Sequence, residues 1–361
     1  MLKRALRTAT NGTENMTDHE YCKMSLKKVS RTFAINIMVL RGDLYKSTLC
    51  AYLFCRIADT IEDAVFSESA QQIELLAQFR DLFVHEQYGP EPVSGWVQAF
   101  AQAEKTEVSA ADLDLTLNLQ RVINNYQTLP QRFQEATRDC IVEMTNGMID
   151  VLGRKTRERR KVYFSKTLEE LNKYCYYVAG TVGILLTRLF AAYTSAISAT
   201  ILQAMHRQAV SFGLGLQLTN IIKDSWGDYK RGWCYIPEEL IRENGMEPEH
   251  LFEPGQQQKA QRMFNALIRK AAGHLDDALA YTLLIPRRAV RIRLFCLLPL
   301  FFAIATLIEA KNNPGLLTGQ RVKISRKRVR YLIRTVTLIC WNNKALRSFY
   351  TSFRGQIPEP A

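Results

Sequence analysis

The stretch Gln217-Leu218-Thr219-Asn220-Ile221-Ile222-Lys223-Asp224-Ser225-Trp226-Gly227-Asp228 leaves little choice of secondary structure. Its polar residues Gln217, Asn220, Asp224 and Asp228 recur at i, i+3, i+7 and i+11, which forms one stripe along an α-helix. Leu218, Ile221 and Ile222 fall on the flank that packs into a core, so the stripe faces water, a cavity or a ligand. Two carboxylates four residues apart repel by ~0.2–0.5 kcal/mol on an exposed helix. A hard cation reverses that cost, because oxygen ligands on adjacent turns can share Mg²⁺ ions whose other ligands are water and phosphate. One such pair is common on solvated faces. Far upstream, however, Tyr52-Leu53-Phe54-Cys55-Arg56-Ile57-Ala58-Asp59-Thr60-Ile61-Glu62-Asp63 repeats the geometry, with Tyr52, Arg56, Asp59 and Asp63 at i, i+4, i+7 and i+11. Two acidic ledges on two apolar helices predict one shared site.

The rest of the chain supports helix throughout. Gly (18) and Pro (11) are sparse in 361 residues, and 47% of residues are apolar. Scarce breakers and long runs with a period near 3.6 predict an all-α protein rather than a sheet, and the length allows one large or two ordinary domains. The eight cysteines (Cys22, Cys50, Cys55, Cys140, Cys175, Cys234, Cys296, Cys340) include no C-x-x-C pair. They read as reduced core residues of a cytosolic protein. The basic start, Met1 to Arg7, lacks the apolar run of a secretory signal.

The net charge of +13 is concentrated. Eleven of the 48 Lys and Arg lie between Ala310 and Pro358, where no Asp or Glu occurs. Such a block suits anionic lipid, a phosphorylated ligand or nucleic acid.

Residues 1–17 are expected to be frayed, 18–345 to form the folded domain, and 346–361 to be a flexible tail. Asp43 opens the helix of the first ledge. Ser69 and Gln72 have the spacing of a capping box, as do Thr167 and Glu170. Gln87 to Gly95 reads as an internal loop. Helices are expected over Asp112–Gln127 and Gln131–Leu152, followed by a basic connection from Arg154 to Lys161. The small residues of Tyr174 to Gly183 allow close approach by either a helix or a ligand. Tyr229 to Pro237 reads as a basic flap. The fifteen uncharged residues Leu294 to Ile308 fall short of the ~20 a spanning helix needs and predict a buried core helix. The last helical stretch is expected at Tyr331–Trp341.

Other chemistries fit poorly. Gly213-Leu214-Gly215 supplies only two glycines of a dinucleotide fingerprint and lies within helical periodicity. The five histidines, His19, His85, His206, His250 and His274, lack metal-ligand spacing. A diphosphate fits better. Its departure from an allylic carbon leaves a carbocation, Mg²⁺ on the ledges would neutralise the leaving group, and Arg56, Lys223 and Arg231 would add charge-assisted contacts. The cation then needs an apolar, aromatic wall.

Three segments carry a family resemblance: Asp59-Thr60-Ile61-Glu62-Asp63, Tyr174 to Gly183, and Asn220-Ile221-Ile222-Lys223-Asp224 with Asp228. In type and order they resemble the signature segments of the squalene and phytoene synthases, and the likeness runs from about Tyr21 to Arg330. Phe295 to Pro299, Ala303 to Leu307, Asn312-Asn313 and Val322 to Arg326 resemble the squalene branch. The Tyr174–Gly183 segment and the Arg-Gly-x-x-Tyr-Ile-Pro flap are shared with the carotenoid branch, and Leu300 departs from the Gln usual in squalene synthases.

The resemblance implies a single-domain isoprenoid synthase fold with helices around a central apolar cavity. It implies head-to-head condensation of two farnesyl diphosphates to presqualene diphosphate, then NADPH-dependent reduction to squalene. Dehydrosqualene or phytoene synthesis without reduction, synthesis of presqualene diphosphate alone, and terpene cyclisation stay open as alternatives. Asp59, Glu62 and Asp63 on one side and Asn220, Asp224 and Asp228 on the other would hold Mg²⁺ (or Mn²⁺). Ser30, Arg31, Phe33, Tyr52, Arg56, Val178, Gln217 and Asn220 would contact substrate, and Tyr174 would lie beside the reacting carbons. An unperturbed Tyr, with a pKa of about 10, is a poor base at neutral pH, so the departing diphosphate is the expected proton acceptor. Arg31, Phe295, Pro299, Lys323 and Arg326 would meet NADPH. The expected partners are farnesyl diphosphate and the cytoplasmic face of a membrane, held peripherally, without nucleic acid, and the chain is expected to be a monomer.

Overall fold

The computed structural model describes residues 16–30, 32–158 and 160–357. The chain folds as two compact units that divide between Thr156 and Arg157. Both are helical, and the strands among the described residues are two-residue pairs.

The first unit begins with Asp18–Val29, capped by Thr17 in a reciprocal box with Glu20. The rest of the expected frayed segment, residues 1–15, lies outside the described residues. Thr32–Ile37 is followed by the first ledge helix, Gly42–Asp63, which packs on Asp18–Val29, Ser69–Val84, Ala110–Leu117 and Leu119–Gln127. Its inward face (Leu49, Leu53, Phe54, Ile57 and Ile61) is fully buried. Phe83 and Tyr126 meet Phe54 edge-on, and Phe79 meets Phe83 in the same way, the geometry that aromatic quadrupoles prefer.

Several local expectations are corrected here. Gln72 does not close a capping box. It is buried, and its Nε2 donates to the carbonyls of Ile61, Glu62 and Ala64 at 2.7, 2.9 and 3.2 Å, satisfying the exposed end of the ledge helix. The expected loop from Gln87 to Gly95 becomes helical at Pro90–Gln102, because prolines are tolerated in a first turn whose amides need no partner. The Trp96 indole anchors that helix on the Leu75 carbonyl at 3.0 Å. The expected helix over Asp112–Gln127 breaks at Asn118, whose side chain bonds back to the Asp114 carbonyl at 2.8 Å. Gln131–Glu158 runs on through the basic residues expected to form a connection, helped by an Arg154–Asp150 pair one turn apart.

The second unit is built on the second ledge helix, Ala199–Lys230. It packs most extensively on Gln257–Leu284, and also on Thr181–Tyr193 and Val290–Ala310. Leu168–Cys175, capped by Thr167, continues into a π-helical turn at Tyr176–Gly180. The glycines of this region serve helix packing: a Cβ on Gly183 would lie 2.1 Å from the Ala209 carbonyl oxygen, and one on Gly213 would lie 2.2 Å from that of Ala179. Arg326–Ile339 and Asn343–Arg354 close the chain.

Two more expectations change in this unit. Val290–Ala310 spans 21 residues, so it and Leu168–Tyr193 are long and apolar enough to cross a membrane. Yet 78% of the most apolar window of Val290–Ala310 is buried, as in a core helix. Residues 346–357 are not a loose tail. Asn343–Arg354 buries Leu346, Tyr350 and Phe353, and Tyr350 and Arg354 both bond Asp276, at 2.8 and 3.0 Å. Residues 358–361 lie outside the described residues.

Candidate active site

In the first unit, helical geometry brings Ser30, Phe33, Tyr52, Arg56, Asp59 and Asp63 to neighbouring positions. The Ser30 hydroxyl accepts from the Phe33 amide at 3.1 Å, and the exposed Phe33 ring lies 5.6 Å from that of Tyr52. Burial pushes the Tyr52 phenol up, with Ser30 opposing the shift by hydrogen bonding. Arg31 lies outside the described residues.

Arg56 is held from behind. Its Nε and Nη2 donate to the two carboxylate oxygens of Asp112 at 2.7 and 2.8 Å, a bidentate fork that fixes the guanidinium plane. Ser109 Oγ donates to the same carboxylate at 2.6 Å. Among the described residues, Asp112 takes two of the five guanidinium N–H donors, which leaves three for an anionic ligand. Asp112 had no signature in the sequence beyond a capping position after Ser109.

Asp59 and Asp63 lie one turn apart with unequal environments. Asp63 is exposed. Burial, and next the charge of Asp63, push the Asp59 carboxyl up to about 7. Two carboxylates one turn apart, each raising the cost of ionising the other, are a donor set suited to a divalent cation, so these residues fit Mg²⁺. Glu62, expected among the ligands, is buried at 5% exposure, and its Oε1 has no hydrogen-bond partner. Burial raises its pKa well above the ordinary range, with the nearby Lys155 opposing. It belongs to the packed side of the helix rather than its exposed ledge.

In the second unit the stripe has the expected helical form. Gln217 and Asn220 are half-buried, Asp224 is exposed and paired with Lys223, and Asp228 is buried and bonded by Arg231 at 2.6 Å. Among the described residues no three His, Cys, Asp or Glu side chains form a metal-binding group by themselves. Mg²⁺ commonly takes one or two carboxylates and completes its shell with water and substrate phosphate.

Tyr174, nearly buried, stacks on Tyr235, with ring centroids 4.4 Å apart and hydroxyls 3.1 Å apart. Trp233 extends the stack, 5.8 Å from Tyr235. The flap carrying both is fastened by a parallel pairing of Tyr163–Phe164 with Trp233–Cys234. Beyond it, buried Glu238 binds Arg160, Lys166 and Arg242 at 2.5, 3.1 and 2.9 Å. Val178 lies in the π-helical turn, a form common at functional sites.

Comparison with known proteins agrees with this arrangement. Residues 26–328 match the family described as squalene/phytoene synthase. The chain belongs to that family. It is 31% identical over 318 residues to the squalene synthase of Candida albicans, covering 85% of this chain and 66% of that protein. It is also 31% identical over 299 residues to the squalene synthase of Rattus norvegicus, covering 82% and 65%. The chain thus matches just under two thirds of these relatives' length. A solved complex of TcSQS with the ligand BPH1237 superposes with a TM-score of 0.78 at 24% identity, covering 94% of this chain and 91% of that one. The fold is the all-α isoprenoid synthase fold of the squalene/phytoene synthase family.

Within this family fold, the residues expected to meet NADPH divide in two. Lys323 and Arg326 are exposed on either side of Ser325, whose Oγ caps Arg326–Ile339 by accepting from the Arg328 amide at 3.1 Å. Two exposed cations at a helix N-terminus fit nucleotide phosphates. Phe295 is buried edge-on against Phe190 at 5.9 Å, and Pro299, one turn on, is half-buried. These two supply apolar surface only. Sequence reasoning missed Asp112, Tyr235 and Glu238, each of which acts by holding another residue or segment in place.

Proposed function

We propose that the protein joins two farnesyl diphosphates head to head and reduces the product to squalene. The observation that carries this reading is the pair of ledges, Asp59 with Asp63 and Asn220 with Asp224 and Asp228, in a chain that belongs to the squalene/phytoene synthase family. Asp59, Asp63, Asn220, Asp224 and Asp228 would hold Mg²⁺ to neutralise the leaving diphosphates, and NADPH, its phosphates met by Lys323 and Arg326, would supply the hydride.

The residues' own work is binding, orientation and shielding. Arg56, held flat by Asp112, binds diphosphate oxygens and favours C–O cleavage. The allylic cation left behind is attacked by the double bond of the second substrate, and loss of a proton closes the cyclopropane of presqualene diphosphate. Tyr174, its plane set by the stack on Tyr235, presents its other ring face to stabilise positive charge without capturing it. Tyr174's hydroxyl orients the departing diphosphate, which takes the proton. The second C–O bond then breaks, the carbon skeleton rearranges, and hydride addition gives squalene. Apolar walls exclude the water that would otherwise quench the cations. The lipidic substrate and product, with the acid-free basic C-terminal segment, support work at the cytoplasmic face of a membrane.

Incubation of purified protein with farnesyl diphosphate and Mg²⁺, with and without NADPH, tests the reading. Squalene formed only with NADPH supports it. Dehydrosqualene formed in both tubes assigns the non-reducing carotenoid branch. Presqualene diphosphate accumulating in both leaves only the first half-reaction, and a cyclic product from a single substrate overturns the condensation.

A further inference from the structure

The largest exposed apolar side chains of the described residues lie together in sequence, far from both ledges along the chain. Leu338 is 75% exposed and Trp341 58%, more than any other large hydrophobic group described. They end an exposed stripe of Arg326–Ile339 and the turn after it, in which Lys327, Arg330, Arg334, Leu338 and Trp341 follow at i, i+3, i+7, i+11 and i+14. The opposite face, with Leu332 and Val336, is buried. The helix is therefore amphipathic twice over: its inner face is satisfied by packing, and its outer face runs from cationic to apolar.

A second segment adjoins the apolar end. Arg293, wholly buried, donates to the Cys340 carbonyl at 2.7 Å, to Asn343 Oδ1 at 2.6 Å and to the Ile285 carbonyl at 2.6 Å. This one guanidinium ties the turn before Val290–Ala310 to the turn that carries Trp341. The first of those turns exposes Arg287, Arg288 and Val290. No Asp or Glu occurs from Ala278 to Ile308 or from Ala310 to Pro358, so neither segment brings a carboxylate of its own to offset these arginines.

An exposed Trp and Leu beside uncompensated arginines match the two layers of a bilayer surface. Indole favours the headgroup boundary, leucine the acyl region just beneath it, and arginine the anionic headgroups. We propose that Val290, Leu338 and Trp341, flanked by Arg287, Arg288 and Arg334, dock the protein on an anionic lipid bilayer. This deepens, and rests on, the reading that the enzyme works at a membrane surface, and it names the surface that makes the contact.

Flotation of the full chain with phosphatidylcholine vesicles, with and without phosphatidylserine, tests it. Wild type binds the anionic vesicles, more weakly in high salt. Leu338→Ser with Trp341→Ser lowers partitioning more than about tenfold, and each of Arg287→Glu, Arg288→Glu and Arg334→Glu lowers it by about fivefold or more. All five positions are exposed and outside the proposed catalytic residues, so turnover of detergent-dispersed farnesyl diphosphate and the thermal midpoint stay unchanged. Wild type failing to bind anionic vesicles overturns the membrane reading itself. Wild type binding while the variants bind equally well overturns this surface and leaves that reading standing. A change from dimer to monomer in Leu338→Ser, without a change in vesicle binding, assigns the surface to a second copy of the chain and also overturns the proposal.

Discussion

Tyr174 and Tyr235 lie face to face, with ring planes 13° apart and a 3.1 Å hydrogen bond between their hydroxyls. The second tyrosine comes from the flap, so flap and signature helix are joined at the ring expected beside the reacting carbons. Stacking fixes the plane of Tyr174, and the hydrogen bond fixes the direction of its hydroxyl.

Replacing Tyr235 with Phe keeps the stack and removes only the hydroxyl partner. A net hydrogen bond is worth about 0.5–1.5 kcal/mol, so kcat of the proposed condensation is expected to fall about two- to tenfold with the melting temperature nearly unchanged. Tyr235→Leu also removes the ring face and should cost more. Steady-state turnover of farnesyl diphosphate with parallel thermal melts separates the two; an undiminished kcat in Tyr235→Phe would show that the hydroxyl pair does not orient Tyr174.

The two reciprocal glycine contacts give a stability prediction of opposite sign to the usual helix rule. Gly183 and Gly213 each meet a carbonyl of the facing segment where a Cβ would need to sit. Gly183→Ala or Gly213→Ala should destabilise by about 1–3 kcal/mol or more through forced separation of the segments. Gly273, inside Gln257–Leu284, meets nothing within 4 Å. Gly273→Ala should therefore stabilise by up to ~1 kcal/mol. Urea unfolding of the three variants checks the sign as well as the size.

These contacts also show where the sequence was readable. Periodicity located both ledges, because a polar stripe on an apolar helix repeats every turn. The capping spacing of Thr167 and Glu170 located a helix start, with Thr167 accepting from the Glu170 amide while the Glu170 carboxylate accepts from the Lys166 amide; that of Ser69 and Gln72 was misleading, since Gln72 finds better acceptors at the end of a helix that precedes it. The helix Asn343–Arg354 had a legible signal in Leu346, Tyr350 and Phe353, obscured by its basic, acid-free setting. Asp112 and Tyr235 had none, because their partners Arg56 and Tyr174 lie 56 and 61 residues away.

Acid stability follows from Asp112 and Glu238. Burial alone would raise both pKa values, but Arg56 and Ser109 in one case, and Lys166, Arg242 and Arg160 in the other, outweigh it and hold them below their ordinary values of 3.8 and 4.5. A depressed folded-state pKa contributes stability above the unfolded value that is lost as pH falls through the folded one. The thermal midpoint should thus be insensitive to these groups above about pH 5 and drop below about pH 4. Asp112→Asn and Glu238→Gln should each lower stability at pH 7 and flatten the acid limb. For Asp112 the loss should be about 2 kcal/mol, less than for a fully buried pair, because the Arg56 side chain remains 32% exposed. A limb of unchanged steepness in both variants would assign acid unfolding to other carboxylates.

Asp59 has the opposite sign, and that couples the proposed Mg²⁺ site to protons. Burial and the neighbouring Asp63 raise its carboxyl from 3.8 to about 7. A raised folded-state pKa means that its contribution is most favourable below the unfolded value and is lost as pH rises through about 7. Between those limits the folded protein, free of metal, holds a proton that the unfolded chain does not. A metal ligand must be ionised, so binding there expels that proton. Titration of the protein with Mg²⁺ and inorganic diphosphate at pH 6, in two buffers of different ionisation enthalpy, should therefore release about one more proton from wild type than from Asp59→Asn. At pH 8.5 the two should release nearly equal numbers. Equal release at both pH values would remove Asp59 from the metal site. Loss of release together with loss of helical circular dichroism would instead mark the residue as structural, and Asp224→Asn, exposed on its own ledge, would then carry the test of metal-dependent turnover.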